Sequence, residues 1–327
     1  MPHKISIPGV SDSKDRLKPV HRSHKIHWRS PFIIALIVVA LILTGVGIFY
    51  YHAYVAPFRQ VVLTVDNQVT RMDYFLKRIR MAGNDPTLTL QQLTYEQIVK
   101  IMAPQYAIAV SPSDIDVELR KEAAASANDV ITDAGFQEWY ANRLKAAGLL
   151  DSEYREIVRT NLLAIRLLEY VAVDIPTTAE QIHLYTIVTA TSDDAVNARS
   201  RIAAGENFAT IASEISLDSQ TKSKGGELGW IPRGVTPYDD VIFQLATGQV
   251  SAPVAIDPSS PSTSQYVIFM VSERDPNRVI DANPLEVLRT RALYNLILQQ
   301  IPQHVKYSYT PEDNEWVTEQ LAKDPKN

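Results

Sequence analysis

The chain has 327 residues, 46% hydrophobic and 21% charged, which suits a membrane segment plus two modest domains and excludes collagen, coiled coil and wholesale disorder. It contains no cysteine, so disulfides, thiolate metal sites and cysteine nucleophiles are excluded. The net charge of −5 is uneven: residues 1–30 hold seven Lys or Arg against two Asp, leaving the rest acidic and without the basic face that nucleic-acid binding needs.

Phe32 to Tyr51 holds no charged residue. A bilayer core of ~30 Å needs about 20 apolar helical residues, and this run supplies them. Trp28 precedes it, and Tyr50, Tyr51 and Tyr54 stand at its far end, as in an interfacial belt. A cleaved signal peptide has a shorter apolar region and small residues before the cut; Tyr51 before Ala53 and Tyr54 before Ala56 fit that poorly. The expected order is a cytoplasmic basic tail over 1–30, a single transmembrane anchor over 31–54, and everything beyond outside the membrane. His3, His21, His24 and His27 read as part of a solvated tail, not as a metal site.

Val61–Val65 reads as a short strand turned at Asp66-Asn67. Thr70 is expected to open a helix, with Asp73 as a weak capping partner and Met72, Phe75, Leu76 and Ile79 at helical spacing, closed by Gly83-Asn84-Asp85-Pro86. A second helix is expected over about 88–110 and a third from Ser111-Pro112 to about Ala125. A fourth spans Phe136–Ala147, and a fifth runs from Asp151 through Val173. Residues 55–176 therefore read as a helical domain whose apolar stripes are either core or an exposed groove for client chains.

Ile175-Pro176-Thr177-Thr178 marks a boundary, after which 177–276 reads as mixed α and β. Alternation at Ile182, Leu184, Thr186 and Val188 gives a strand. Helices are expected over Asp194–Ala204, Asn207–Ser216 and Tyr238–Ala246, with a closing strand at Tyr266–Val271. The order β-α-α-α-β suggests a small antiparallel sheet covered by helices, and the fold class is α+β. Residues 277–327 give a helix over about 284–300 with Asn283-Pro284 at its start, a strand at Val305–Tyr309 and a polar helix over 311–323.

The stretch FATIASEISLDSQTKSKGGELGW, residues 208–230, resembles the parvulin pattern of F-A-x-x-A, a serine, an acid, G-G-D/E-L-G and an aromatic. Gly205 fits the step before it. Phe243-Gln244-Leu245, Gly248, Val250-Ser251 and Pro253-Val254 fit the downstream F-x-L-x-x-G-x-V-S-x-P-V, and Tyr266–Val271 fits the last strand. The resemblance covers about 180–275 and implies a peptidyl-prolyl isomerase fold of the PpiC type. A strand and helical domain before it, and a returning helix and strand after it, resemble the SurA/PrsA class of extracytoplasmic foldases. That likeness implies that Val305–Tyr309 pairs near Val61–Val65, and that the partners are unfolded exported polypeptides containing X-Pro bonds. No cofactor is implied.

Rotation about an X-Pro bond is slow because amide resonance sets a barrier of ~20 kcal/mol, and a catalyst need only bind the twisted amide better than the planar ones. By the resemblance, Asp218 takes the position nearest the rotating bond, and Thr186 and Val267 stand where the family has its two histidines. His183 is an odd offset from Thr186 and faces the other side of the strand. Tyr238 and Phe243 match the two aromatics of the proline site. The loop before them is about two residues short of the family pattern, and Val235 partly fills the place of its methionine. Asp218 equally reads as a loop acid capping backbone groups of Ser219–Thr221, and Phe243 equally as a core aromatic. Two functions follow: a foldase that isomerises X-Pro bonds, with Asp218 and Thr186 catalytic and Tyr238, Phe243, Val267 and Val235 binding the substrate, or a holdase on a catalytically degenerate parvulin fold. A scaffold of the secretion machinery is a third.

Overall fold

The computed structural model describes residues 31–83, 85–124, 131–260 and 264–323. The basic tail expected over 1–30 lies outside the described residues, as do Asn84 and the expected end of the third helix near Ala125. Two compact units result, dividing between Arg59 and Gln60. In the first, helix α1 (Pro31–Tyr50) continues through a π-helical turn into α2 (Ala56–Arg59). Ile34–Arg59 is long and apolar enough to cross a membrane by length and composition.

The second unit opens with a hairpin of β1 (Val61–Val65) and β2 (Gln68–Arg71). This corrects the expected helix start at Thr70, which is buried in β2 opposite Leu63. Val65 pairs with Gln68, so Asp66-Asn67 is a two-residue turn with Asp66 at φ 49°, and such a turn sends the chain straight back as a strand. Helix α3 (Met72–Ala82) then begins, and it buries Met72, Phe75, Leu76 and Ile79 before Gly83 ends it at φ 62°. Helix α4 (Pro86–Met102) is capped by the Asp85 carboxylate, which accepts from the Leu88 N–H. It ends earlier than the expected 110. Pro104 supplies no N–H, and Ala107 turns left-handed at φ 56° after a 3-10 turn. Helices α5 (Pro112–Ala123), α6 (Asp133–Ala147) and α7 (Asp151–Ala172) complete the helical body, α5 with a Ser111–Asp114 capping box.

Next come β3 (Thr178–Thr189), α8 (Ser192–Ala203), α9 (Phe208–Ile215), β4 (Glu227–Pro232), α10 (Asp239–Ile242), β5 (Val254–Ala255) and β6 (Tyr266–Val279). The sheet is antiparallel in the order β4-β3-β6-β5. The sequence shows β3 and β6 but not the edge strands β4 and β5. The expected helix over 238–246 shrinks to one turn, because Arg274 donates to the carbonyls of Phe243 and Leu245 and takes the acceptors that a longer helix would use. Helix α11 (Ala282–His304) starts one residue before Asn283 and packs on α4 and α7. Strand β7 (Val305–Tyr307) then pairs antiparallel with β1, Leu63 opposite Tyr307 and Val65 opposite Val305, so the expected pairing of these segments is present. Helix α12 (Pro311–Ala322) closes the described chain.

One polar group sits within the α3 stripe. Arg78 is 3% exposed and makes a two-pronged bond to Glu96 of α4, both contacts at 2.6 Å. Burial works against its charge, but the Glu96 hydrogen bond and charge outweigh that and hold the guanidinium above its ordinary range. Glu96→Gln leaves that cation buried opposite a neutral amide. The expected loss is ~3–5 kcal/mol, read by urea unfolding followed by helical circular dichroism. A loss below ~1 kcal/mol means the pair contributes no more than a surface one.

Candidate functional site

Strand β3 has its two faces in two different cores. Ile182, Leu184 and Val188 face a cluster with Ile242, Phe243, Leu245, Val267, Phe269 and Val271. Ile187 and Tyr185 face the other, with Ala195 and Ala198 of α8 and Phe208, Ile211 and Ala212 of α9. Thr186 belongs by alternation to the first face, and it lies opposite Phe269. Val188 lies opposite Val267 on the same face, and the Tyr238 ring rests on the Phe269 ring at 5.1 Å between centroids. Thr186, Val267 and Tyr238 are thus brought onto one patch, with Phe269 between them. The Thr186 hydroxyl takes no hydrogen bond among the described residues, although the residue is only 3% exposed.

Asp218 stands at the Val188 end of β3. The Leu217 N–H donates to the Val188 carbonyl at 2.8 Å, and Ser216 Oγ accepts from the N–H groups of both Val188 and Asp218. The Asp218 carboxylate accepts from the Gln220 N–H at 3.1 Å through Oδ1 and from the Thr221 hydroxyl through Oδ2. These are the bonds of a turn-capping acid. No hydrogen bond joins Asp218 to Thr186 among the described residues.

Phe243 shares the core, but its polar neighbours are elsewhere. The Arg233 guanidinium lies 4.0 Å from its ring centroid, Arg274 lies 5.9 Å away, and both arginines pair with Glu180 near the start of β3. The Arg274 bond, then Arg233, hold Glu180 below the usual carboxylate range. Phe243 therefore supports the core at the end of β3 remote from Val188. Val235 lies in the loop between β4 and α10, its carbonyl 3.5 Å from Arg291 Nη2. His183 faces away from Thr186, with Nδ1 2.8 Å from Ser272 Oγ and Nε2 3.0 Å from Glu227.

Two residues of the patch escape the sequence reading. Phe269 is one, although its alternate position in the closing strand was available as a signal. Ser251 is the other: its N–H donates to the Phe269 carbonyl and its Oγ accepts from the Phe269 N–H, which fixes the aromatic from the β5 side.

A family model for the rotamase or PPIC-type PPIase domain matches residues 187–272. The segment is a parvulin domain. Foldase protein PrsA from Caldanaerobacter subterraneus subsp. tengcongensis is 30% identical over 153 residues, 42% of this chain and 49% of that protein. Foldase protein PrsA from a Geobacillus species is 24% identical over 210 residues, 60% of this chain and 68% of the relative. Periplasmic chaperone PpiD from Haemophilus influenzae is 35% identical over 94 residues, 28% of this chain and 14% of that protein. The chain thus spans about half the length of the first of these relatives.

The glycine pair of the parvulin domain has a steric cause. A Cβ on Gly226 would lie 2.3 Å from the Thr186 carbonyl oxygen, and Gly226 has φ 83°. Gly229 has a similar φ of 89° but open space around it. Gly229→Ala is expected to cost ~1–3 kcal/mol, the backbone term alone. Gly226→Ala should cost more, because β3 itself must shift. Thermal unfolding of both variants checks the order, and equal losses would mean that contact with Thr186 is not limiting.

Proposed function

We propose that this protein is a membrane-anchored extracytoplasmic foldase that isomerises X-Pro bonds in exported polypeptides. The observation that carries the reading is the Tyr238–Phe269–Val267 patch beside the Thr186 hydroxyl, within a parvulin domain. Relatives described as a foldase and as a periplasmic chaperone support it. In this reading residues 1–30 face the cytoplasm and 31–54 cross the membrane. Residues 55–176 with 277–327 form the body that holds clients, and 177–276 act on the bond.

The mechanism needs no covalent step. Tyr238, Phe269 and Val267 grip the proline ring, and Val235 closes the loop side. Apolar walls stabilise the charge-separated planar amide poorly, so they favour the twisted form by comparison. The Thr186 hydroxyl bonds the twisted amide. Asp218 shapes the rim through its turn, and Phe243 backs the core behind the pocket.

A holdase without turnover is the second reading. Favouring it, the Asp218 carboxylate is already bonded within its own turn, and Thr186 and Val267 replace the histidine pair that the parvulin pattern carries.

Exchange NMR on a short X-Pro peptide, with the full chain in detergent micelles, separates the two. Acceleration is expected from the wild type. Tyr238→Ala is expected to lower kcat/KM by about ten- to a hundred-fold, the equivalent of one buried ring of ~1.5–3 kcal/mol. Asp218→Asn, which keeps an acceptor for the turn, should retain activity that Asp218→Ala loses. No acceleration by the wild type, with suppression of client aggregation intact, would establish the holdase.

A further inference from the structure

The parvulin domain joins the helical body through a two-stranded stem. Thr178 pairs with Val279, and the Ile280 N–H donates to the Thr177 carbonyl at 2.8 Å. Entry and exit are therefore side by side, and a domain held only there would pivot on its stem. A further contact is made by the loop between β4 and α10, which carries Val235 and Tyr238. Arg291 of α11 donates through Nη1 to the Gly234 carbonyl and, more distantly at 3.5 Å, through Nη2 to the Val235 carbonyl. No carboxylate pairs with Arg291 among the described residues, so its charge is spent on these two main-chain oxygens.

The loop is pressed against α11 as well as bonded to it. Gly234 has φ 88°, and a Cβ there would lie 2.9 Å from Leu288 Cδ2. From the other side the Asp239 carboxylate accepts the Gly234 N–H, and the Tyr238 N–H donates to Thr236 Oγ1 at 2.8 Å. Gly234 is thus gripped at its N–H from α10 and at its carbonyl from α11, four residues before Tyr238. Helix α11 belongs to the body. It packs on α4 and α7, touches Tyr95 through Tyr294 at 5.4 Å between ring centroids, and runs into β7, which pairs with β1.

We propose that Arg291 is the positioning residue of the proline pocket, through which the helical body sets the Tyr238 loop. Its consequence for turnover rests on the isomerase reading above; the mechanical link does not. A shortened loop with two ends fixed by strand and helix has few ways to place Tyr238 over Phe269, and Arg291 selects one of them. Separation of α11 from the loop frees Tyr238, so substrate binding by the pocket depends on the seating of the domain on its body.

The test compares wild type, Arg291→Ala and Arg291→Lys as full chains in detergent micelles, by X-Pro exchange NMR, thermal unfolding and amide hydrogen exchange. Arg291→Ala is expected to lower kcat/KM about ten-fold or more, mainly through KM, because the loop carries a binding side chain and not a reacting group. Exchange should quicken at the amides of Gly234, Val235, Thr236 and Tyr238 within 234–238 and stay unchanged at 184–188. Arg291→Lys, which keeps a charge but not the fork, should fall between the two. Equal exchange at 234–238 in all three proteins overturns the proposal. So does a loss of activity in Arg291→Ala that tracks a fall in the thermal midpoint and is not relieved by lysine. A wild type without isomerase activity sinks the isomerase reading alone, and the hydrogen-exchange comparison still decides whether Arg291 holds the loop.

Discussion

Three hydrogen bonds to the backbone of β3 at residues 186 and 188 organise everything around the site. Regular pairing of β3 with β4 ends at Tyr185 opposite Glu227, so the next polar groups on that edge of β3 need other partners. The Thr186 N–H takes the Gly226 carbonyl at 2.8 Å, the Val188 N–H takes Ser216 Oγ, and the Val188 carbonyl takes the Leu217 N–H. Two segments of the single loop between α9 and β4 are thereby docked where a strand would otherwise continue. One brings Asp218 to the end of the patch. The other must run so close that a side chain has no room: a Cβ on Gly225 would lie 2.5 Å from Ala209 Cβ, and one on Gly226 would meet the Thr186 carbonyl. The glycine pair, the serine and the acid of the 208–230 stretch are thus parts of one solution to an unpaired strand edge.

That dependence explains which features were legible in the sequence. Strand β3, through its alternation, and the apolar first half of β6, Tyr266–Val271, were readable. So were the start of α5 at the capping side chain of Ser111 and the stops of α3 and α6 at the left-handed glycines Gly83 and Gly148. The short strands β2, β4 and β5 were not. β2 and β4 are sheet edges of four and six residues, β5 has only two residues, and each owes its place to the neighbour it pairs with more than to its own pattern. Thr70 reads as a helix cap by residue type and spacing, and only the hairpin turn at Asp66 overrides it.

The candidate site divides in the same way. Residue types at matched positions put forward Thr186, Val267 and Tyr238, and the β3–β6 register sets Thr186 and Val267 on one face. Hydrogen-bond partners were beyond reach. Nothing in the chain near Asp218 distinguishes a carboxylate aimed at a substrate from one aimed at Gln220 and Thr221, because both begin from the same loop acid. Phe243 and Tyr238 look alike as aromatics five residues apart, yet one lies against Arg233 and the other against Phe269. Long-range polar contacts leave no local trace at all. Arg78 occupies an apolar stripe because Glu96, eighteen residues on, neutralises it. Arg291 meets Gly234 across fifty-seven residues.

The way the parvulin domain is inserted gives those long-range contacts their weight. Strands β1 and β7 join the two ends of the helical body, so the whole segment from β3 to β6 departs from that body and returns to it. Its sheet has its own two cores, on either face of β3, and needs nothing from the body to bury them. The stem at Thr178 and Val279 fixes where the domain is attached but leaves its tilt undetermined. A tilt is fixed by contacts far from the stem, and the loop between β4 and α10 is such a contact. Of the loops in the domain, it is the one that carries Tyr238. The geometry therefore ties the seating of the domain on α11 to the loop that carries Tyr238, through the carbonyls of Gly234 and Val235.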